Sequence, residues 1–116
     1  MNIETDFLVI GSGIAGLCFA LKAAEHGHVM IVTKGDLGEC NTDYAQGGIA
    51  SVMYEPDTFE KHIHDTLVCG AGICDLAAVE QVVKNAPTVI KQLIQWGTKF
   101  DKDATGRYDL NREGGH

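Results

Sequence analysis

A chain of 116 residues, 45% of them hydrophobic, can form one small core or part of a larger one and is too apolar for global disorder. Its formal charge of −7 and the lack of any apolar run near membrane-span length argue against a nucleic-acid or membrane partner. Met1 to Asp6 carry acid but no Lys or Arg, unlike a secretory signal, and Cys18, Cys40, Cys69 and Cys74 show no C-x-x-C spacing, so reduced thiols in a cytoplasmic protein are expected.

Asp6 to Ile10 (Asp-Phe-Leu-Val-Ile) predicts a strand buried on both faces. Gly11-Ser12-Gly13-Ile14-Ala15-Gly16 follows at once. A helix then begins, with Ile14, Leu17, Cys18 and Leu21 on one side and Gly27 as its C-cap. Val29 to Thr33 predicts a second buried strand, parallel to the first through a right-handed crossover.

Gly35 to Ser51 has no clear period and reads as a long functional loop. Pro56-Asp57 opens a helix in which Asp57 is the expected N-cap, Glu60 completes a capping-box pattern, and Phe59, Ile63 and Leu67 form the apolar stripe up to Gly70. His62 and His64 occupy alternate positions, which do not share a helix face, and read as polar surface residues rather than metal ligands. From Asp75 a further helical pattern carries Leu76, Val79, Val82, Val83, Val89, Ile90, Leu93 and Ile94. Pro87 predicts a kink or break near Asn85, and Gly97 the far cap. Lys99 to Asp101 and Arg107 to Leu110 flank Asp103-Ala104-Thr105-Gly106, the pattern of a small hairpin. The last residues, Arg112-Glu113-Gly114-Gly115-His116, form a glycine-rich segment. Two parallel strands are fewer than a doubly wound sheet needs, so the chain is expected to be a piece of a longer polypeptide.

The glycine motif has the context that gives it chemical meaning: strand before, amphipathic helix after, strand next. Gly11 permits the tight turn, Gly13 lets the backbone approach a pyrophosphate, and Gly16 allows close helix–strand packing. The free N–H groups at the helix start favour phosphate. The acid expected on a ribose at the end of the second strand is replaced by Thr33 and Lys34. Lys34 suits an NADP phosphate, the adenosine or pyrophosphate of FAD, or plain surface charge, and Asp36 lies a little late for the ribose. In Asn41-Thr42-Asp43-Tyr44-Ala45-Gln46-Gly47-Gly48 the paired glycines would let backbone donors approach a flat ring edge.

Three stretches carry a resemblance: Gly11 to Gly16, Ala45-Gln46-Gly47-Gly48-Ile49, and Arg112 to His116. With Asp65-Thr66-Leu67 and Gly70 to Asp75 they extend it over the whole chain. The sequence resembles the succinate dehydrogenase/fumarate reductase flavoprotein family, and within it the branch that oxidises L-aspartate. The resemblance implies an α/β fold, the N-terminal part of a Rossmann-type FAD-binding domain with a parallel sheet, flanking helices and a small hairpin. Residues 1–116 would be the N-terminal portion of that domain, without the capping and C-terminal helical domains.

It implies FAD contacts from Gly11, Ser12, Gly13, Ile14, Ala15, Gly16, Lys34, Asn41, Thr42, Asp43, Tyr44, Ala45, Gln46, Gly47 and Gly48. Asp43 departs from the aromatic or small residue usual there. Asn41 stands where respiratory members attach FAD covalently to a histidine, so the flavin is expected to be non-covalent. Glu113 would orient the substrate through its ammonium group, while His116 has no assigned role. The implied reaction oxidises L-aspartate to iminoaspartate, passing a hydride to the flavin, with fumarate or dioxygen as acceptor. Its product feeds quinolinate and NAD synthesis, with quinolinate synthase as a partner. The family's proton-handling arginine and substrate-clamping histidines have no counterpart here, so the chain alone is expected to be inactive. A succinate- or fumarate-acting flavoprotein and a non-catalytic nucleotide-binding module are the other readings.

Overall fold

The computed structural model describes residues 2–45, 47–111 and 115–116. The chain forms two compact units, Met1–Gly47 and Gly48–His116.

The first unit is built on two parallel strands, β1 (Phe7–Ile10) and β2 (Val29–Val32), in the register Phe7↔Val29 to Ile10↔Val32. Helix α1 (Ile14–Ala23) packs on both strands. The order strand–turn–helix–strand is the one expected, but burial differs from the periodicity. Val9 is buried, whereas Leu8 is 57% and Ile10 83% exposed. The sheet is therefore covered on one face within this unit, not on both. On α1 the buried residues are Ala20 and Ala23, and Ile14, Leu17 and Leu21 of the expected stripe are exposed. Small side chains win the sheet-facing positions because they let the helix axis approach the strands.

Helix α1 also ends sooner than expected, with Ala24 as its C-cap. Gly27 has a different task. The Asp6 carboxylate accepts the His28 N–H at 2.8 Å, and a Cβ on Gly27 would lie 2.6 Å from its Oδ2. The segment after β2 is not a structureless loop. It holds a single helical turn, α2 (Asn41–Tyr44), in which the Cys40 carbonyl accepts the N–H groups of Asp43 and Tyr44 at 3.0 and 3.4 Å.

The second unit pairs α3 (Phe59–Cys69) with α4 (Leu76–Gln95). The N-cap of α3 is Thr58, whose hydroxyl accepts the Lys61 N–H at 3.2 Å, and not Asp57. Asp57 accepts the Thr58 N–H at 2.7 Å instead, so Glu60 is not at the capping-box position. Gly70 ends α3 as expected, and a Cβ there would collide with Cys74 Sγ. Asp75 caps α4, accepting the Ala78 N–H at 3.0 Å.

No break occurs at Pro87: α4 is continuous over 20 residues. Val83, Ile90 and Leu93 are buried on either side of the proline. Their spacing puts them along one face, and packing along that face outweighs one lost backbone bond. Gly97 (φ +103°) closes the helix. Its N–H and that of Thr98 bond to the carbonyls of Ile94 and Leu93, both at 3.0 Å, which is the Schellman pattern. The expected hairpin is present as an antiparallel bridge between Lys102 and Tyr108. No helix among the described residues is long and apolar enough to cross a membrane.

Candidate functional site

Parallel strands bring their carboxyl ends to one edge, and in the first unit that edge gathers the chemistry. Gly11 leaves β1 at φ +105°, a conformation that strains any other residue, and its N–H bonds the Val32 carbonyl at 2.8 Å. The chain then turns into α1. A Cβ on Gly16 would collide with the Gly11 carbonyl oxygen and lie 3.2 Å from Val9 Cγ1. Absence of a side chain at Gly16 is what lets helix and strand meet. Ser12 is 4% exposed. Gly13, in the N-cap position, offers no side-chain cap.

Among the described residues, the N–H groups of Ser12, Gly13, Ala15 and Gly16 have no hydrogen-bond acceptor. These donors, at the positive end of the α1 dipole, form a cradle for an anion. The Ile14 N–H is engaged by Thr42 Oγ1 at 3.1 Å, and Thr42 Oγ1 also lies 3.7 Å from where a Cβ on Gly13 would stand. Thus α2 packs against the start of α1, and two motifs separated in sequence become one edge. Spacing gave no signal for this contact. Lys34 lies two residues beyond β2, exposed and with no ion-pair partner among the described residues. Asn41, Asp43, Tyr44, Ala45 and Gly47 are all exposed. The Tyr44 hydroxyl donates to Glu39 Oε2 at 2.7 Å, and that carboxylate raises the Tyr44 pKa. Gln46 and Glu113 lie outside the described residues. Gly48 belongs to the second unit and is exposed.

In the second unit the structure assembles a cluster that sequence reasoning missed. His116 Nδ1 is 2.8 Å from Asp65 Oδ2 and its Nε2 is 2.9 Å from Asp57 Oδ2. Its ring stacks on His62, with centroids 4.1 Å apart and planes 2° from parallel. His62 is not a surface residue: it is 7% exposed, and its Nδ1 has no partner among the described residues. Asp65 and Asp57 precede His116 by 51 and 59 residues, so no local pattern could have linked them. His64 is exposed as expected. No group of three or more His, Cys, Asp or Glu side chains among the described residues is placed to hold a metal ion, and all four cysteines are free. At the hairpin turn, the Thr105 hydroxyl above all holds the Asp103 carboxyl below its ordinary range, against an opposing effect of burial. This is turn chemistry rather than a site.

Residues 6–116 match the FAD binding domain family. The chain belongs to that family. Its cofactor is FAD, and the unpartnered N–H groups around Gly13 fit the pyrophosphate of such a dinucleotide.

Curated relatives of the FAD-binding chain include the chloroplastic L-aspartate oxidase of Oryza sativa, 48% identical over 111 residues, and the L-aspartate oxidase of Yersinia pestis, 48% identical over 116 residues. These alignments span 96% and 97% of this chain but 17% and 22% of those proteins. Among solved structures, quinol fumarate reductase FrdA of E. coli is 31% identical with a TM-score of 0.86, covering 95% of this chain and 19% of that one. Mycobacterium smegmatis Sdh1 is 32% identical with a TM-score of 0.87, covering 97% and 19%. The chain thus spans about a fifth of the length of the proteins it matches.

Proposed function

We propose that the chain is the N-terminal portion of an FAD-dependent oxidoreductase that converts L-aspartate to iminoaspartate. L-Aspartate loses two electrons and two protons. Fumarate takes them up to become succinate, or dioxygen to become hydrogen peroxide. The capping and C-terminal helical domains lie in the remainder of the polypeptide, and this portion alone does not turn over. The product enters quinolinate and NAD synthesis, with quinolinate synthase as the next partner. The proposed location is the cytoplasm, where the four free cysteines would stay reduced; the plant relatives are named chloroplastic.

The observation that carries this reading is a gap in identity. The chain is 48% identical to L-aspartate oxidases over nearly its whole length and 31–32% identical to the fumarate reductase and succinate dehydrogenase chains.

FAD, when bound, supplies the two-electron acceptor for the substrate carbon–hydrogen bond. The protein's part is binding and orientation. Ser12, Gly13, Ala15 and Gly16 present N–H groups to the pyrophosphate, with Gly11 shaping the turn and Ile14 beginning the helix. Thr42 fixes α2 beside them. Lys34 adds positive charge at the same edge, and Asn41, Asp43, Tyr44, Ala45, Gln46, Gly47 and Gly48 complete the proposed FAD-binding set. Asn41 offers an amide, which is not a usable nucleophile, so the flavin is held non-covalently.

Glu113 is the proposed partner of the substrate ammonium. In the complete enzyme, Glu113→Gln removes one charge-assisted hydrogen bond. It should raise the KM for L-aspartate about 10- to 100-fold while succinate oxidation changes little. Steady-state kinetics with both substrates checks this. Equal losses on the two would remove Glu113 from the ammonium role and favour a succinate- or fumarate-acting flavoprotein.

A further inference from the structure

His116 meets a carboxylate at each ring nitrogen, Asp65 at 2.8 Å and Asp57 at 2.9 Å. A neutral imidazole donates from one nitrogen only, whereas an imidazolium donates from both. With both aspartates ionised, the geometry is that of an imidazolium between two acceptors. Asp57 is itself oriented by the Thr58 N–H at 2.7 Å. The third contact is the parallel stack on His62 at 4.1 Å. Two imidazolium rings at that separation would repel each other, so the pair carries one positive charge.

We infer that His116, held as an imidazolium between Asp57 and Asp65 and stacked on a neutral His62, is a positioning residue that fastens its segment of chain to α3 only while it carries the proton. Among the described residues, these groups face the pair. Asp57 comes from the turn before α3, and Asp65 and His62 from α3 itself. From α4, the residues that line a common pocket with His62 are Ala78, Val79, Val82, Val83 and Ala86, none of them charged. Close packing at Gly115 supports a fixed seat, because a Cβ there would collide with Cys69 Sγ and lie 3.7 Å from the Asp65 carbonyl oxygen.

The two histidines titrate in opposite senses. The Asp65 hydrogen bond, chiefly, raises the pKa of His116 against an opposing effect of burial, and Asp57 adds to the rise. Burial first, then the charge of His116, lowers the pKa of His62, with Asp57 and Asp65 opposing. Stabilisation from His116 is therefore full below the ordinary imidazole value of about 6.5 and is lost as pH rises through its higher folded value. The His62 contribution is present above about 6.5 and is lost as pH falls towards its lower folded value. The fastening is strongest around neutrality and weakens on both sides.

The inference does not depend on which substrate the complete protein oxidises. Its test is a histidine ring-carbon NMR titration of the full-length protein, with resonances assigned through His62→Phe and His116→Gln. The expected result is that His116 binds its proton more tightly than a free imidazole and His62 more weakly. Asp65→Asn and Asp57→Asn should each bring His116 back towards the ordinary value. A His116 that titrates at or below the ordinary value, or that ignores both aspartate substitutions, overturns the inference. The aspartate variants keep it testable if His116→Gln fails to fold, since they leave both rings in place.

Discussion

At the scale of single residues, the best-determined feature is Gly16. Its need for no side chain follows from its neighbours: a Cβ would collide with the Gly11 carbonyl oxygen and lie 3.2 Å from Val9 Cγ1. Neither neighbour can yield easily, because Gly11 is backbone at φ +105° and Val9 is buried. Gly16→Ala should therefore destabilise the complete protein by about 1–3 kcal/mol, the range for overpacking a close contact. It should also weaken FAD binding by shifting the Ala15 and Gly16 N–H groups. Thermal unfolding and a flavin fluorescence titration read the two effects separately, and an unchanged flavin affinity would detach the cradle from the cofactor. The turn at Gly11 and the close packing at Gly16 were legible in the sequence because a strand–turn–helix motif is local. The bond from the Ile14 N–H to Thr42 was not, for the residues are 28 apart and a threonine side chain has many other uses. The seat of His116 was illegible for the same reason, and a buried His62 looks in sequence like any helical histidine.

At the scale of elements, the sequence located every helix and strand except α2, and its errors have physical causes. Asp57 and Thr58 are both good caps and adjacent, but the Asp57 carboxylate is engaged by the Thr58 N–H and His116, and the Thr58 hydroxyl accepts the Lys61 N–H. One turn from Asn41 to Tyr44 is too short to show a period. Of the kink or break expected near Asn85, the break assumed that local propensity governs, but α4 is continuous and its buried face runs through Pro87. That helix keeps its proline at the expense of one backbone donor. Pro87→Ala restores the donor that the Val83 carbonyl lacks and relieves the ring clash with it. It should stabilise the complete protein by about 1–2 kcal/mol, less than the full penalty of roughly 3 kcal/mol because the half-buried ring also packs. A lowered unfolding temperature would mean that Pro87 contributes more through contacts than it removes through hydrogen bonding.

At the scale of the whole molecule, the telling quantity is how much apolar surface the first unit leaves uncovered. Leu8 and Ile10 on the strand, with Ile14, Leu17, Phe19 and Leu21 on α1, are all more than 40% exposed. The two sets lie on a sheet face and on a helix, and together they make α1 apolar on more than its sheet-facing side. A helix of that kind belongs inside a larger body. Periodicity read β1 as buried on both faces, and the discrepancy with this unit is explained if the second covering layer comes from the remainder of the polypeptide. The 116-residue chain expressed alone should then bind a hydrophobic dye strongly and associate as its concentration rises, while the full-length protein should do neither. Dye fluorescence and sedimentation at several concentrations make the comparison. A shortened chain that stays monomeric and dark would mean that Leu8 and Ile10 find their cover among these residues. The proposed placement of the rest of the domain over that face would then have to be given up.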